Sequence, residues 1–245
     1  MKKNNSGEVF DNAVSFFHAD EEAKKFIDYY FSDEEIKDKK ILDAGTRVGD
    51  YALQLVNKGA QFVTGIDLSK KSIDVAERKF ATNKKLKFYQ GNIRKLSMFH
   101  DSEFDIVLCV GTIMYLKPKD MKKAFNELLR VARPRGTILI AFQKNKNYLA
   151  QLFTIIANLM PMKIYLGLIN ILAMTIQPFS PILIGRKAGI DYLKYDVLLS
   201  LRGLHYGIPF SIPKKFRIKT ASCEYSSEKM TATFKIKLGN NKKLA

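Results

Sequence analysis

The chain of 245 residues carries 41 Lys and Arg against 24 Asp and Glu, a formal net charge of +17, and is 47% hydrophobic. Such a length suits one α/β domain with an insertion better than two full domains, and the two cysteines, Cys109 and Cys223, form no metal or redox spacing, which fits a reducing cytoplasm and no metal site. Of the basic residues 32 are Lys and 9 are Arg; arginine is the better phosphate fork and base stacker, so a lysine-led excess spread over the chain argues against a dedicated nucleic-acid surface. A local excess, nine basic residues against two Glu, lies between Lys214 and Ala245.

Met1-Lys2-Lys3 leads into no apolar h-region, so nothing here directs the chain to export. Phe10, Val14 and Phe17 make an apolar face at near-helical spacing, and Asp20 caps a predicted helix whose apolar side is Ala23, Phe26, Ile27 and Tyr30. The stretch that organises the rest is Lys40 to Asp67. Ile41-Leu42 opens a strand, Gly45 and Gly49 mark a turn, Tyr51, Leu55 and Val56 have helical spacing, and after Gly59 a second strand, Phe62 to Ile66, ends on Asp67. This is a βαβ unit. Glycines after its first strand let a backbone approach a ligand, and the acidic residue closing its second strand can accept hydrogen bonds from both ribose hydroxyls. A nucleoside-bearing cofactor is therefore expected.

Further along, Ser69 is the predicted N-cap of a helix with Ile73, Ala76 and Phe80 on one stripe and Lys70, Lys71, Arg78 and Lys79 on a solvated face. Leu86 to Tyr89 is the third strand. His100, among Asp101, Ser102 and Glu103, reads as exposed, and Phe104 to Val110 reads as a parallel strand covered on both faces. Gly111 to Tyr115 follows at the carboxyl end of that strand, where open α/β sheets bind ligands. A helix over Asp120 to Val131, burying Ala124, Phe125, Leu128 and Leu129, leads into a fifth strand, Thr137 to Phe142. Leu149 to Ile184 carries a single charge, Lys163, and its apolar run up to Gln177 is shorter than the ~20 residues a bilayer span needs. Three readings stay open for it: a lid over the site, a face resting in a membrane surface, or a homodimer seam. Asp191 to Leu201 is read as a last helix, and Met230 to Leu238 alternates apolar and polar as a strand with one wet face should.

The dinucleotide fingerprint needs glycine at the first, third and sixth loop places, which here are Gly45, Arg47 and Asp50. Two are absent, and Asp50 sets negative charge where phosphates would lie. Asp43-Ala44-Gly45-Thr46-Arg47-Val48-Gly49 instead resembles motif I of the class I S-adenosylmethionine-dependent methyltransferases, with Arg47 where that family usually has glycine. Asp67-Leu68 resembles its ribose-holding acidic motif, Gly91-Asn92-Ile93 its adenine cradle, Phe104-Asp105-Ile106-Val107 its fourth strand, and Arg133-Pro134-Arg135-Gly136-Thr137 the loop before its fifth. The resemblance runs from about residue 40 to residue 142 and implies a Rossmann-like doubly wound sheet of seven strands, mostly parallel with an antiparallel C-terminal strand.

It divides the chain into an N-terminal helical segment (1–39), a cofactor-binding core (40–143), an apolar helical insertion (144–190) and a closing part with the last helix and strands (191–245). It also implies S-adenosylmethionine as cofactor, S-adenosylhomocysteine as its product, and a binding set of Asp43, Ala44, Gly45, Thr46, Gly49, Asp67, Leu68, Asn92, Ile93 and Val110. Asn92 stands where the family usually has aspartate and keeps an acceptor oxygen for the exocyclic amine. A general base is needed only if the acceptor holds its proton at neutral pH. His205, in a loop flanked by glycines, is the leading candidate, with Tyr115, Tyr206 and Phe17 as substrate contacts and His18 behind them. The expected acceptor is a small apolar or amphipathic molecule. RNA methylation and cofactor binding without catalysis are the alternatives, and the expected location is cytoplasmic with peripheral membrane contact open.

Overall fold

Ala23 and Ile27, one helical turn apart, are the buried residues of α1 (Asp20–Tyr30), with Phe26 and Tyr30 partly buried beside them. Ser32 then starts the short α2 (Asp33–Ile36) with a capping box: its Oγ accepts from Glu35 N at 3.3 Å while Glu35 Oε2 accepts from Ser32 N at 3.1 Å. The computed structural model to which these elements belong describes residues 20–116, 118–143, 220–227 and 231–240, with short pieces at 171, 174–175 and 177–179.

There follow β1 (Lys40–Ala44), α3 (Asp50–Asn57), β2 (Phe62–Asp67), α4 (Lys70–Lys79), β3 (Leu86–Gln90), β4 (Phe104–Val110), α5 (Pro118–Val131), β5 (Ala132–Gln143), β6 (Thr220–Ser227) and β7 (Thr231–Leu238). The strands form one sheet in the order β3-β2-β1-β4-β5-β7-β6. β1 to β5 are mutually parallel; β7 opposes β5, and β6 opposes β7. β6 therefore runs with the parallel set, and β7 alone runs against it. Successive strands are added outward from β1 to β3 on one side and from β4 on the other, and this switch between β1 and β4 opens a crevice at their carboxyl ends.

Strands buried on both faces need apolar side chains at odd and even positions alike. Ile41, Val63, Leu86, Phe88, Ile106 and Leu108 point to the side that holds Ile27, Ala52, Leu55, Ile73 and Ala76 of α1, α3 and α4. Leu42, Ala44, Ile66, Val107, Cys109, Ile138 and Ile140 pack on the other side with Met121, Ala124, Phe125, Leu128 and Leu129 of α5. Each large side chain so buried contributes about 1.5–3 kcal/mol. The β3–β4 connection has no helix, and Arg130 of α5 pins it instead: its guanidinium donates to Leu96 O (2.8 Å), Phe99 O (3.0 Å) and Asp101 Oδ1 (2.7 Å).

Four local expectations change. Residues 133–136, predicted as a loop before the fifth strand, fall within β5 as a bulge: Phe104 pairs with Ala132 but Ile106 with Thr137, and Arg135 has φ 60°. Helix α5 begins at Pro118 rather than Asp120, because proline suits a first helical position. Lys79, predicted on a solvated face, reaches Asp50 Oδ1 at 2.8 Å and Asp20 Oδ1 at 3.3 Å. Lastly, Thr233 and Lys235 of the predicted wet face of β7 are 3% and 8% exposed. The reason lies in α1 and α2: Lys235 Nζ donates to Tyr30 O at 2.6 Å and to Glu35 Oε1 and Oε2 at 2.7 and 2.9 Å, with the Phe31 ring 4.7 Å away.

Removing either end of that pair has unequal consequences. Glu35→Gln leaves a buried ammonium and is expected to lower stability by about 2–3 kcal/mol, whereas Lys235→Met leaves a carboxylate that water can reach and keeps an apolar stem over Phe31, lowering it by about 1 kcal/mol. Denaturant midpoints of the two variants check the order; equal losses would mean the pair is not held apart from water.

The chain divides into two compact units, residues 1–14, 18–144 and 208–245 in one and 15–17 and 145–207 in the other. In the second, the described residues include exposed Ile171 and Met174 and a 3-10 turn at Gln177–Phe179. The remaining calls on the apolar stretch, the last helix and Phe10, Val14, Phe17, His18, His205 and Tyr206 lie outside the described residues. Among those residues, no helix is long and apolar enough to cross a membrane.

Candidate active site

Asp43, Asp67 and Val110 sit at the carboxyl ends of β1, β2 and β4. Between β1 and α3 the chain must turn over the end of β2, and the amides of Gly45 and Thr46 both donate to Ile66 O at 2.8 Å to hold it there. Three missing Cβ atoms make room. At Gly45, φ +90°, a Cβ would lie 1.9 Å from Thr112 Oγ1; at Gly65 it would meet Phe88 Cδ1 at 2.6 Å and Thr46 Oγ1 at 2.7 Å; at Gly49, φ +86°, it would meet Phe80 and Phe88 at 2.8 Å. Arg47 stands at φ 52°, a region that disfavours side chains, in the place where the resembled family has glycine. Gly49 opens α3, so the first amides of that helix face the loop.

The loop gathers acidic groups. Asp43, 1% exposed, accepts from Thr46 Oγ1 at 2.6 Å. Asp67 accepts from Arg47 N at 3.0 Å through Oδ2 and from Ser69 N at 2.8 Å through Oδ1. Each of its oxygens keeps a lone pair for a further donor. Asp50 is buried, and among the described residues its Oδ2 has no hydrogen-bond partner. Burial pushes the Asp43 carboxyl up to about 7 against the Thr46 hydrogen bond, with the charges of Asp67 and Asp50 adding to the rise. Burial also raises Asp67, opposed by the Ser69 and Arg47 amides. Tyr51 is pushed up to about 12 by burial and then by Asp43. Cys109, raised to about 12 by burial, is a core thiol with no nucleophilic character at neutral pH.

Around this acidic loop, Gly111 has φ +64° and open space on its Cβ side, with its amide on Ala141 O at 2.8 Å. Thr112 Oγ1 donates to Val110 O at 3.1 Å. Leu68 O accepts from Gln90 Nε2 at 3.2 Å, which ties the end of β3 to the residue after Asp67. Asn92 and Ile93 follow β3 directly, and Asn92 Oδ1 accepts from both the amide and Nε of Arg94, at 3.0 and 3.1 Å. Tyr115 is partly buried against the core in a 3-10 turn, and His100 is exposed. Gly45, Thr46 and Gly49 lie in the loop that follows Asp43 and Ala44 at the end of β1. Phe17, His205 and Tyr206 lie outside the described residues.

Sequence reading passed over Gly65, took Tyr51 only as a helical position and gave Thr112 only as part of the 111–115 stretch at the ligand crevice. Gly65 carried a usable signal, since glycine inside a strand marks a close backbone approach. The other two matter only through contacts with distant residues. The donor set suits a ligand with hydroxyls and positive charge: three carboxyl groups around one bend repel a pyrophosphate but accept from ribose hydroxyls and an ammonium.

Fold and site together define a Rossmann-like α/β cofactor-binding domain with an acidic, glycine-bearing first loop. Residues 41–136 match the family described as "Methyltransferase domain". YqeM of Bacillus subtilis (strain 168), assigned as a methyltransferase, is 35% identical over 102 residues, covering 41% of this chain and 40% of that protein. The ubiquinone biosynthesis O-methyltransferase of Aromatoleum aromaticum is 29% identical over 119 residues, covering 48% and 49%. The chain spans less than half the length of these curated relatives. Magnesium protoporphyrin IX methyltransferase from Synechocystis PCC 6803, solved with bound S-adenosylhomocysteine, has the same fold at a TM-score of 0.56 and 15% identity, over 90% of this chain and 83% of that one. Over residues 41–136 the chain is thus similar to methyltransferase domains, and its fold is that of a methyltransferase solved with bound S-adenosylhomocysteine.

Proposed function

We propose that the chain transfers a methyl group from S-adenosylmethionine to an O, N or C atom of a small apolar or amphipathic acceptor. The observation that carries this reading is the gathering of Asp43, Asp50 and Asp67 around one glycine-bearing loop in a chain whose net charge is +17. A locally acidic site in a basic protein selects a cationic nucleoside over a phosphorylated one. When bound, S-adenosylmethionine supplies a methyl group already activated on a sulfonium.

The chain's own residues have the remaining work of holding and aligning. Asp67, fixed by two backbone amides, presents its spare lone pairs to ribose hydroxyls. Asp43 and Thr46 face the amino-acid end, Asn92 and Ile93 the base, and Val110 with the open ground at Gly111 borders the place of transfer. Alignment of this kind can supply several kcal/mol of a barrier. His205 is the proposed base for an acceptor that holds its proton, and Tyr115, Tyr206 and Phe17 are proposed as substrate contacts.

An apolar acceptor is supported by the composition of 149–184 and by the ubiquinone biosynthesis O-methyltransferase among the relatives. The same stretch supports contact with a membrane surface or a second copy of the chain. Purified protein given donor with a labelled methyl, and offered phenolic quinone precursors, amphipathic amines and RNA in parallel, is expected to label a small lipophilic acceptor. Label entering RNA alone, or nowhere, would contradict the acceptor class.

A further inference from the structure

Asn92 follows the third strand where the adenine of the donor is read, and the inference below rests on that reading. Its amide is not free to turn. Oδ1 accepts from Arg94 N at 3.0 Å and from Arg94 Nε at 3.1 Å, and an amide oxygen has two lone pairs. The reversed amide would set an NH2 group against two N–H donors, so the geometry admits one orientation. Arg94 is itself held: Nη1 donates to Asp120 Oδ2 at 3.2 Å, in the first turn of α5, where the Asp120 side chain is 14% exposed. The turn is closed beneath it by Lys95 N on Asn92 O at 2.8 Å.

We propose that Arg94 is a positioning residue that engages the Asn92 oxygen and turns its nitrogen away from the guanidinium, so that Asn92 offers the 6-amino group of adenine no acceptor. Base recognition then falls to backbone groups and packing, and the site accepts a 6-unsubstituted purine nearly as well as adenine. Aspartate at position 92 would behave differently. One carboxylate oxygen would stay on Arg94, and the other would accept from the amine as a charge-assisted bond.

The test is titration calorimetry with S-adenosylhomocysteine and with its analogue lacking the 6-amino group. In the unaltered protein the two affinities are expected to agree within about threefold. Asn92→Asp is expected to prefer the amine by about tenfold or more, the size of a hydrogen bond to a charged group. Arg94→Ala, which releases one lone pair of Oδ1, is expected to raise the preference above that of the unaltered protein, with a melting curve confirming that the variant is folded. A preference above threefold in the unaltered protein, or an unchanged ratio in either variant, would overturn the proposal. Binding of neither compound would overturn the donor reading itself, and this inference with it.

Discussion

Gly45→Ala is expected to weaken binding of S-adenosylhomocysteine by about 100-fold or more and to lower stability by about 3 kcal/mol. Two effects combine at this position. A side chain at φ +90° is strained, and its Cβ would lie 1.9 Å from Thr112 Oγ1, 2.6 Å from Cγ2 and 2.7 Å from Cβ of the same threonine. The loop cannot shift away cheaply, because Gly45 N and Thr46 N are both bound to Ile66 O. Any displacement therefore also moves Thr46 off Asp43. Gly111→Ala is the matched control: φ is +64°, but a Cβ there meets nothing within 4 Å. Backbone strain alone remains, about 1–2 kcal/mol. Denaturant unfolding and calorimetry on both variants check this, and equal behaviour of the two would show that the Thr112 contact does not shape the loop.

Asp43→Asn is expected to stabilise the unliganded protein and weaken donor binding at the same time. The Asp43 carboxyl is raised from 3.8 to about 7. Between those values the folded state holds a proton that the unfolded state releases, so the stability tied to this group is fully present below about pH 4 and is lost as pH rises toward about 7. Asparagine keeps an acceptor for Thr46 Oγ1 and does not ionise. Its gain over the unaltered protein is thus near zero at pH 4 and reaches an upper limit of about 4 kcal/mol at pH 8. Donor affinity runs the other way. The positive ammonium of the donor favours ionised Asp43, so binding to the unaltered protein is expected to strengthen from pH 6 to pH 8, by up to about tenfold per unit below the raised value, while Asp43→Asn binds weakly with no such rise. Unfolding curves at pH 5 and 8, with calorimetry at the same values, read both signs.

Much of the framework around the loop was legible in the sequence, because its signals were local. Glycine spacing gave the loop, Ser69 the cap of α4, and the apolar run of Phe104 to Val110 a strand covered on both sides. What escaped depends on partners far away in sequence. Lys235 looked wet by alternation alone, and only α1 and α2, some two hundred residues earlier, supply the carbonyl and carboxylate that let it be buried. Lys79 looked like a surface charge until Asp50 came beside it. Asn92 looked like a ready acceptor, yet its oxygen is already engaged by a neighbour two residues on, a contact that composition does not announce. Residues 133–136 read as a loop before the fifth strand, and the register shift makes them a bulge inside β5 instead.

In the proposed function this acidic bend grips a cationic nucleoside. Calorimetric titration of the unaltered full chain with S-adenosylmethionine and S-adenosylhomocysteine at pH 7.5 tests it most directly. Saturable heat with one site per chain, accompanied by a rise in melting temperature, is the predicted result. Silence with both compounds, together with heat and a thermal shift from a nicotinamide dinucleotide, would contradict it.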